Sequence, residues 1–178
     1  MYNDRQGGYG NRQTGYGDRQ GGYGRTNQWD SRSKATPQSI AAEPLPEDYV
    51  KQAENAIIAL KNDGRFPITT SKLRSLFSLF TETYNTVARG DQEKLDRKQV
   101  NDLNSAKVRI YYEIGRDDYY KSDDLDSCSV GRFVHRSKLL AYLGDIGDSC
   151  EKLKQFYHYM EALVAFHRYY FGEKKDRN

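Results

Sequence analysis

Four residues at the start of one predicted helix have the chemistry to hold a phosphate group: Thr70, Ser71, Lys72 and Arg74. The stretch TTSKLRSLFSLFTETYNTVARG predicts the helix, and Thr70 or Ser71 can accept a hydrogen bond from a free backbone N–H of its first turn. The other free N–H groups and the positive end of the helix dipole favour an anion, and two cations stand beside them. This pattern predicts a phosphate-binding helix start.

Two further groups of cations follow later in the chain. Arg109 and Arg116 are seven residues apart, which places them on the same side of a predicted third helix. Arg132, Arg136 and Lys138 cluster on a predicted fourth helix. Each of these cations taken alone is more often a solvated surface charge, so only a patch built from several of them would indicate nucleic-acid binding.

Acid/base catalysis is the second chemistry to consider. His158 stands three residues before Glu161, hence on one helical face, although a histidine in a bundle is more often a packing residue. The sequence contains no HExxH, GxSxG, Walker or EF-hand pattern, and the acidic stretch DDYYKSDDLD lacks the ligand spacing of a calcium loop. Cys128 and Cys150 are too isolated for a zinc pair or a disulfide framework. We therefore expect no enzyme activity, no metal and no cofactor.

The charge is distributed unevenly. Residues 1–45 hold six of the 28 Lys and Arg residues and four of the 25 Asp and Glu residues, which leaves 22 cations and 21 anions in the rest of the chain. The remainder has no global basic field, so nucleic-acid binding there would need a local patch. No apolar run approaches the roughly 18 residues of a membrane span, and no signal peptide is evident, so we expect a cytoplasmic protein without membrane association.

The elements that must position these residues are all predicted helices. No proline follows Pro67, and the apolar residues recur at spacings of three and four. Residues 46–178 therefore predict a compact four- to five-helix bundle. Its helices are predicted over 46–63, 69–90, 91–118, 132–148 and 149–172, with a loop at 119–131. The predicted buried stripes are Val50, Ala53, Ile57 and Leu60 on the first helix and Val100, Leu103, Val108, Tyr111, Tyr112 and Ile114 on the third.

Residues 1–45 have a different composition. The segment DRQGGYGNRQTGYGDRQGGYG repeats one seven-residue phrase three times and contains no aliphatic residue, so residues 1–45 are predicted to be a disordered tail. Interleaved Arg, Gly and Tyr also suit weak, sequence-tolerant RNA binding. An alternative function is therefore a free-standing RNA-binding or self-associating protein that acts through this tail.

Three stretches of the predicted bundle together resemble a known family: FPITTSKLRSLFSLF, KVRIYYEIGRD and FYHYMEALVAFHRYYFG. They are similar to the small subunit of the type III-A CRISPR-Cas effector, the Csm ribonucleoprotein complex. The resemblance covers about residues 47–174. The residues that carry it are Thr70 to Arg74, Tyr112, Gly115, Arg116, Met160 to Ala165, Tyr169 and Tyr170.

The resemblance implies a non-catalytic helical subunit that stacks in several copies inside a larger assembly. Its implied partners are guide RNA, target RNA, the backbone and large subunits of the complex, and sister copies of itself. Base pairing would read the sequence, so this subunit would contact only the RNA backbone. The acidic loop 117–129 would repel RNA and is then expected to point outward or toward a sister subunit. The candidate RNA contacts are Thr70, Ser71, Lys72, Arg74, Arg109, Arg116, Arg132, Arg136 and Lys138.

Overall fold

The computed structural model describes residues 40–122 and 124–172, and over these residues it contains helices and no named strand. This confirms the all-α prediction. The predicted disordered tail lies, up to residue 39, outside the described residues, and the domain boundary after residue 45 stays a prediction. The helices are α1 (Tyr49–Asn62), α2 (Thr70–Ala88), α3 (Arg97–Gly115), α4 (Ser129–Arg136), α5 (Leu139–Asp145) and α6 (Cys150–Phe171), with a 3-10 turn at Leu125–Ser127.

The helix starts are set by side chains that accept hydrogen bonds from first-turn N–H groups. Thr69, rather than Thr70 or Ser71, caps α2, and its hydroxyl accepts from the Lys72 backbone N–H at 3.2 Å. Asp96 and Gln99 form a capping box at α3. Helix α3 therefore begins at Arg97, six residues later than Asp91. The residues before it instead pair with the start of α6. The Leu95 backbone N–H donates to the Asp148 carbonyl oxygen, and the Cys150 backbone N–H donates to the Glu93 carbonyl oxygen.

The predicted fourth helix is two helices. The Ser137 hydroxyl donates to the Phe133 carbonyl oxygen at 2.7 Å, and α4 ends one residue earlier. Lys138 then has a φ of 50°, in the left-handed region, so the chain turns before α5 begins. The bundle therefore has six α-helices over the described residues, where four or five were predicted.

The core is built around α6, which packs against α1 and α2. The buried rings of Phe80 and Phe156 meet edge to face with centroids 5.0 Å apart, and burying such a side chain stabilises the fold by about 1.5 to 3 kcal/mol. The buried Tyr159 donates its hydroxyl to the Ser137 carbonyl oxygen at 2.7 Å. The longest helix, α6, thus contacts α1 and α2 and also the turn between α4 and α5.

Four residues predicted to be buried are exposed instead. On α3 the buried stripe runs through Leu103, Ala106, Ile110 and Ile114. A helix turns about 100° per residue, so Val108, Tyr111 and Tyr112 lie on the other side of α3, with exposed fractions of 68%, 44% and 53%. Val50 on α1 is also half exposed. The predicted stripe on α3 was right at Leu103 and Ile114, which are buried, and wrong at Val108, Tyr111 and Tyr112.

The segment that leads into α1 packs on α5. The Glu43 backbone N–H donates to the Ala141 carbonyl oxygen at 3.1 Å, and Ile40 and Leu45 pack against the core. The Lys138 ammonium lies 2.7 Å from the Glu43 carboxylate. None of the helices in the described ranges is both long enough and apolar enough to cross a bilayer.

His167 on α6 is a buried titratable side chain. It is 2% exposed, its Nε2 lies 2.7 Å from the Ile68 carbonyl oxygen, and its Nδ1 is buried without a hydrogen-bond partner among the described residues. The carbonyl can only accept, so Nε2 carries a proton, and in the described part of the chain the buried Nδ1 has no acceptor for a second one, which favours the neutral ring. Burial lowers the pKa of His167, against the opposing effect of that hydrogen bond.

We expect the melting temperature to fall as the pH drops below about 6.5, because the unfolded chain then binds a proton that the folded chain excludes. A His167→Gln variant keeps an N–H donor for the Ile68 carbonyl and removes this titration. Its melting temperature should therefore depend less on pH between neutral and about pH 5, as measured by thermal melts followed by circular dichroism. His158→Gln, on the exposed face of α6, is the matched control. Equal pH slopes in wild type and His167→Gln would contradict this account.

Candidate functional site

A groove with a volume of about 600 Å³ runs between α2 and α3 and reaches Val130 of α4. We call it the α2–α3 groove. Its walls carry three cations, three serine hydroxyls, one carboxylate and a few apolar side chains. The lining residues are Ser71, Lys72, Ser75, Leu76, Ser78, Leu79, Arg109, Glu113, Arg116 and Val130.

On the α2 side of the groove, the exposed lining residues are serines. Ser71, Ser75 and Ser78 recur at spacings of four and three, which places them on one face of the helix. Leu73 and Phe80 turn into the core from the same helix. The Ser78 hydroxyl donates to the Ser75 carbonyl oxygen at 2.8 Å, whereas the Ser71 and Ser75 hydroxyls are able to donate hydrogen bonds to a ligand.

The α3 wall carries two arginines held by one glutamate. Arg109, Glu113 and Arg116 lie one and two turns apart on the same face. Arg109 Nη2 lies 2.9 Å from Glu113 Oε1, and Arg116 Nη2 lies 3.6 Å from Glu113 Oε2. The Arg109 guanidinium also lies over the Tyr112 ring, with Cζ 4.9 Å from the ring centroid. Both guanidinium groups are more than half exposed, so they present N–H donors to solvent.

Lys72 is held at the rim of the groove by Asp117. Its Nζ lies 3.1 Å from Asp117 Oδ2, and the Asp117 side chain is 6% exposed. Burial opposes ionisation of Asp117, but hydrogen bonds from Lys72 and from the Tyr119 backbone N–H outweigh it and bring the pKa of Asp117 below its usual value. The first residue of the acidic loop therefore contacts a groove cation, while the outward orientation of the loop as a whole stays a prediction.

The structure brings together four of the nine candidate residues. Ser71, Lys72, Arg109 and Arg116 line the groove, whereas Thr70 and Arg74 are exposed on α2 outside its lining. These four come from two helices far apart in sequence, so the site depends on the packing of α3 against α2.

The three cations of the predicted fourth helix serve other contacts. Arg132 is 6% exposed, donates to the Phe66 carbonyl oxygen and lies 3.9 Å from Asp63, so its guanidinium has no path to an external phosphate in this conformation. Arg136 lies 3.9 Å from Asp126. Lys138 holds the segment before α1 through Glu43. These contacts join loops to α4 and α5, and we leave the three residues out of the proposed interface.

The candidate acid/base pair lies elsewhere. His158 Nδ1 is 2.9 Å from Glu161 Oε2, and the two side chains are 46% and 52% exposed on the outer surface of α6. The pair is not part of the α2–α3 groove. In the described parts of the chain no group of three or more His, Cys, Asp or Glu side chains is arranged to hold a metal ion, and Cys128 and Cys150 are buried free thiols.

Sequence reasoning missed Ser75, Ser78 and Glu113 as groove residues, and Asp117 as the partner of Lys72. Two signals were available in the sequence. The serines continue the spacing of Ser71, and Arg109 and Glu113 form an ion pair across one helical turn. The contact between Asp117 and Lys72 joins residues 45 positions apart and has no local sequence signal.

The fold and the groove define a class: a small all-α protein with a cation-lined groove between two helices. The family model Csm2 Type III-A matches residues 43–173. The chain therefore belongs to the Csm2 family, the small subunits of the type III-A CRISPR Csm complex. It is a structural subunit of that complex.

Two curated relatives agree with this assignment. The CRISPR system Cms protein Csm2 of Mycobacterium tuberculosis (strain CDC 1551 / Oshkosh) is 35% identical over 125 residues, which cover 70% of this chain and 93% of the relative. The protein of the same name from Streptococcus thermophilus is 34% identical over 129 residues, which cover 71% of this chain and 94% of the relative. The resemblance found in the sequence is thereby confirmed.

Proposed function

We propose that the α2–α3 groove binds the sugar-phosphate backbone of guide or target RNA, without base preference and without catalysis, inside the assembled Csm complex. The observation that carries the proposal is the meeting of Lys72, Arg109 and Arg116 at one groove in a domain whose overall charge is close to neutral. Three cations placed together are able to replace the counterions of neighbouring phosphates.

The form of the groove supports backbone binding rather than base readout. Arginine offers five N–H donors in a planar fork that matches a phosphate group, and lysine adds a compact charge. The serine face of α2 adds short hydroxyl donors that suit phosphate and sugar oxygens. A subunit of an RNA-guided complex has to accept any target sequence, because base pairing with the guide supplies the specificity.

The exposed outer face of α3 fits the same assignment. Tyr112 lies beside Arg109 and is 53% exposed, and Tyr111 next to it is 44% exposed. Exposed tyrosine rings stack on any base that is free of a duplex, whatever its identity. In this proposal the subunit works in the cytoplasm, next to sister copies and the other Csm subunits.

A second candidate function rests on the repeats of residues 4–24. They lie outside the family match, which begins at residue 43, and they alternate Arg, Gly and Tyr. In this alternative the tail would provide the RNA binding or the self-association of a free-standing protein.

RNA binding by the full chain and by a chain that lacks residues 1–39 separates the two functions. We expect the shortened chain to keep weak binding to oligouridine, oligoadenine and oligocytosine, with affinities that agree within about threefold, because backbone contacts carry no base information. Fluorescence anisotropy measures these affinities. Complete loss of binding on removal of residues 1–39 would favour the second function, and a strong preference for one base would contradict the backbone-binding proposal.

A further inference from the structure

Two carboxylates lie among the cations of the α2–α3 groove. Glu113 lines the groove and Asp117 stands at its rim beside Lys72. A carboxylate close to bound phosphate would ordinarily repel it, since like charges raise the free energy of a complex. The presence of both groups at a proposed RNA site therefore requires an explanation.

The carboxylates lie deeper than the cations that they hold. The Glu113 side chain is 16% exposed, whereas those of Arg109 and Arg116 are 53% and 59% exposed. Asp117 is 6% exposed against 41% for Lys72. In each case the negative group is on the inside and the positive group is on the solvent side, where a phosphate would arrive.

Both carboxylates are themselves held in place. Glu113 forms ion pairs with two arginines on one face of α3, with Oε1 2.9 Å from Arg109 Nη2 and Oε2 3.6 Å from Arg116 Nη2. Asp117 accepts hydrogen bonds from the Tyr119 backbone N–H at 3.2 Å and from the Ser129 hydroxyl at 3.3 Å, in addition to Lys72. Each guanidinium keeps further N–H donors after its contact with Glu113 and remains able to bind phosphate.

We infer that Glu113 and Asp117 are positioning residues for RNA binding, which hold Arg109, Arg116 and Lys72 in the orientation that receives phosphates. Ordering a long cationic side chain opposes binding, and a carboxylate that orders it beforehand removes part of that cost. Their negative charges thus increase RNA affinity. The inference rests on the proposed function of the groove.

The sign of the effect tests the inference. Glu113→Gln and Asp117→Asn each remove a negative charge from the groove, so electrostatics alone predicts tighter RNA binding. Positioning predicts weaker binding, by about three- to tenfold, because the cations lose their charge-assisted partners. The measurement is fluorescence anisotropy of the full chain with labelled oligouridine over a series of salt concentrations, with thermal melts to confirm that each variant is folded.

Asp102→Asn is the matched control. Asp102 pairs with Lys98 at 2.9 Å on the same helix, is partly exposed, and does not line the groove. Asp102→Asn removes one negative charge, as Glu113→Gln does, but leaves the groove cations in place. The affinity for RNA should therefore stay equal or increase slightly. If Asp117→Asn lowers the melting temperature because its contacts with Tyr119 and Ser129 are structural, Glu113→Gln decides the question.

A double-variant comparison separates positioning from a general structural role. In a chain that carries Arg109→Ala and Arg116→Ala, Glu113 has no guanidinium to orient, so Glu113→Gln should now strengthen RNA binding instead of weakening it. Binding that is equal or tighter in Glu113→Gln alone would overturn the inference while loss of binding in the arginine variants still supports the groove. If the arginine variants also bind RNA like wild type, the proposed function and the inference fail together.

Discussion

Replacing Lys72, Arg109 and Arg116 by alanine together is expected to weaken RNA binding by about 100-fold at 0.1 M salt. Each lost phosphate contact on a single strand lowers the salt slope of log K by about 0.7, so three contacts lower it by about 2. The loss should shrink steadily as the salt concentration approaches 1 M, because the contacts act through counterion release. A titration by fluorescence anisotropy at several salt concentrations measures both quantities.

The fold should survive this triple substitution. The side chains of Arg109 and Arg116 are more than half exposed, and ion pairs of exposed cations contribute at most about 1 kcal/mol each. Lys72 is 41% exposed, and its nearly buried partner Asp117 keeps the hydrogen bonds from the Tyr119 backbone N–H and the Ser129 hydroxyl. The matched control replaces Lys94, Lys98 and Lys152, which are also exposed and also paired with carboxylates but do not line the groove. An equal loss of affinity in the control would show that total charge, rather than the groove, determines RNA binding.

Replacing Gly131 by alanine is expected to destabilise the fold by about 3 kcal/mol or more, which is at the upper end of the cost of overpacking. Gly131 is in the first turn of α4, and an added Cβ would overlap the Leu125 carbonyl oxygen. It would also press on Cys128, whose sulfur accepts a hydrogen bond from the Gly131 N–H and caps the helix. Backbone atoms and a buried thiol cannot move aside without shifting the 3-10 turn away from α4.

Gly115→Ala is the control for Gly131→Ala. Gly115 is the last residue of α3, and an added Cβ there would meet nothing within 4 Å. Alanine also has a higher helix propensity than glycine, so this substitution should leave the free energy of unfolding unchanged or raise it by up to about 1 kcal/mol. Urea unfolding of both variants measures the difference. Similar stabilities of the two variants would show that the close approach of Gly131 to Leu125 is not a constraint on the fold.

Much of the fold could be predicted because the long helices carry strong periodic signals. The buried residues of α2 and α6 recur at spacings of three and four, and those helices were predicted to within two residues at each end. The start of α3 was missed although Asp96 and Gln99 form a readable capping signal. The break at Lys138 carries no such signal, because lysine is not a residue that favours the left-handed region.

The site was predictable only in part, because a list of cations does not show which of them point outward. Arg109 and Arg116 were identified from their spacing, and it was the packing of α3 against α2 that placed them opposite Lys72. Arg132 looked equivalent in sequence but is buried against the loop between α1 and α2, at a carbonyl 66 residues away. Glu113 carries a local signal in its spacing from Arg109, whereas the contact of Asp117 with Lys72 joins residues 45 positions apart and has none.

Photo-cross-linking of thiouridine-labelled guide and target RNA in the assembled Csm complex tests the central claim most directly. The chain should be used at full length, and the cross-linked peptides identified by mass spectrometry. If RNA lies along the α2–α3 groove, the cross-links will fall in peptides that contain residues 71–79 and 109–116. Cross-links confined to residues 1–39, or to the face of α6 around His158, would contradict the assignment of the groove as the RNA-binding surface.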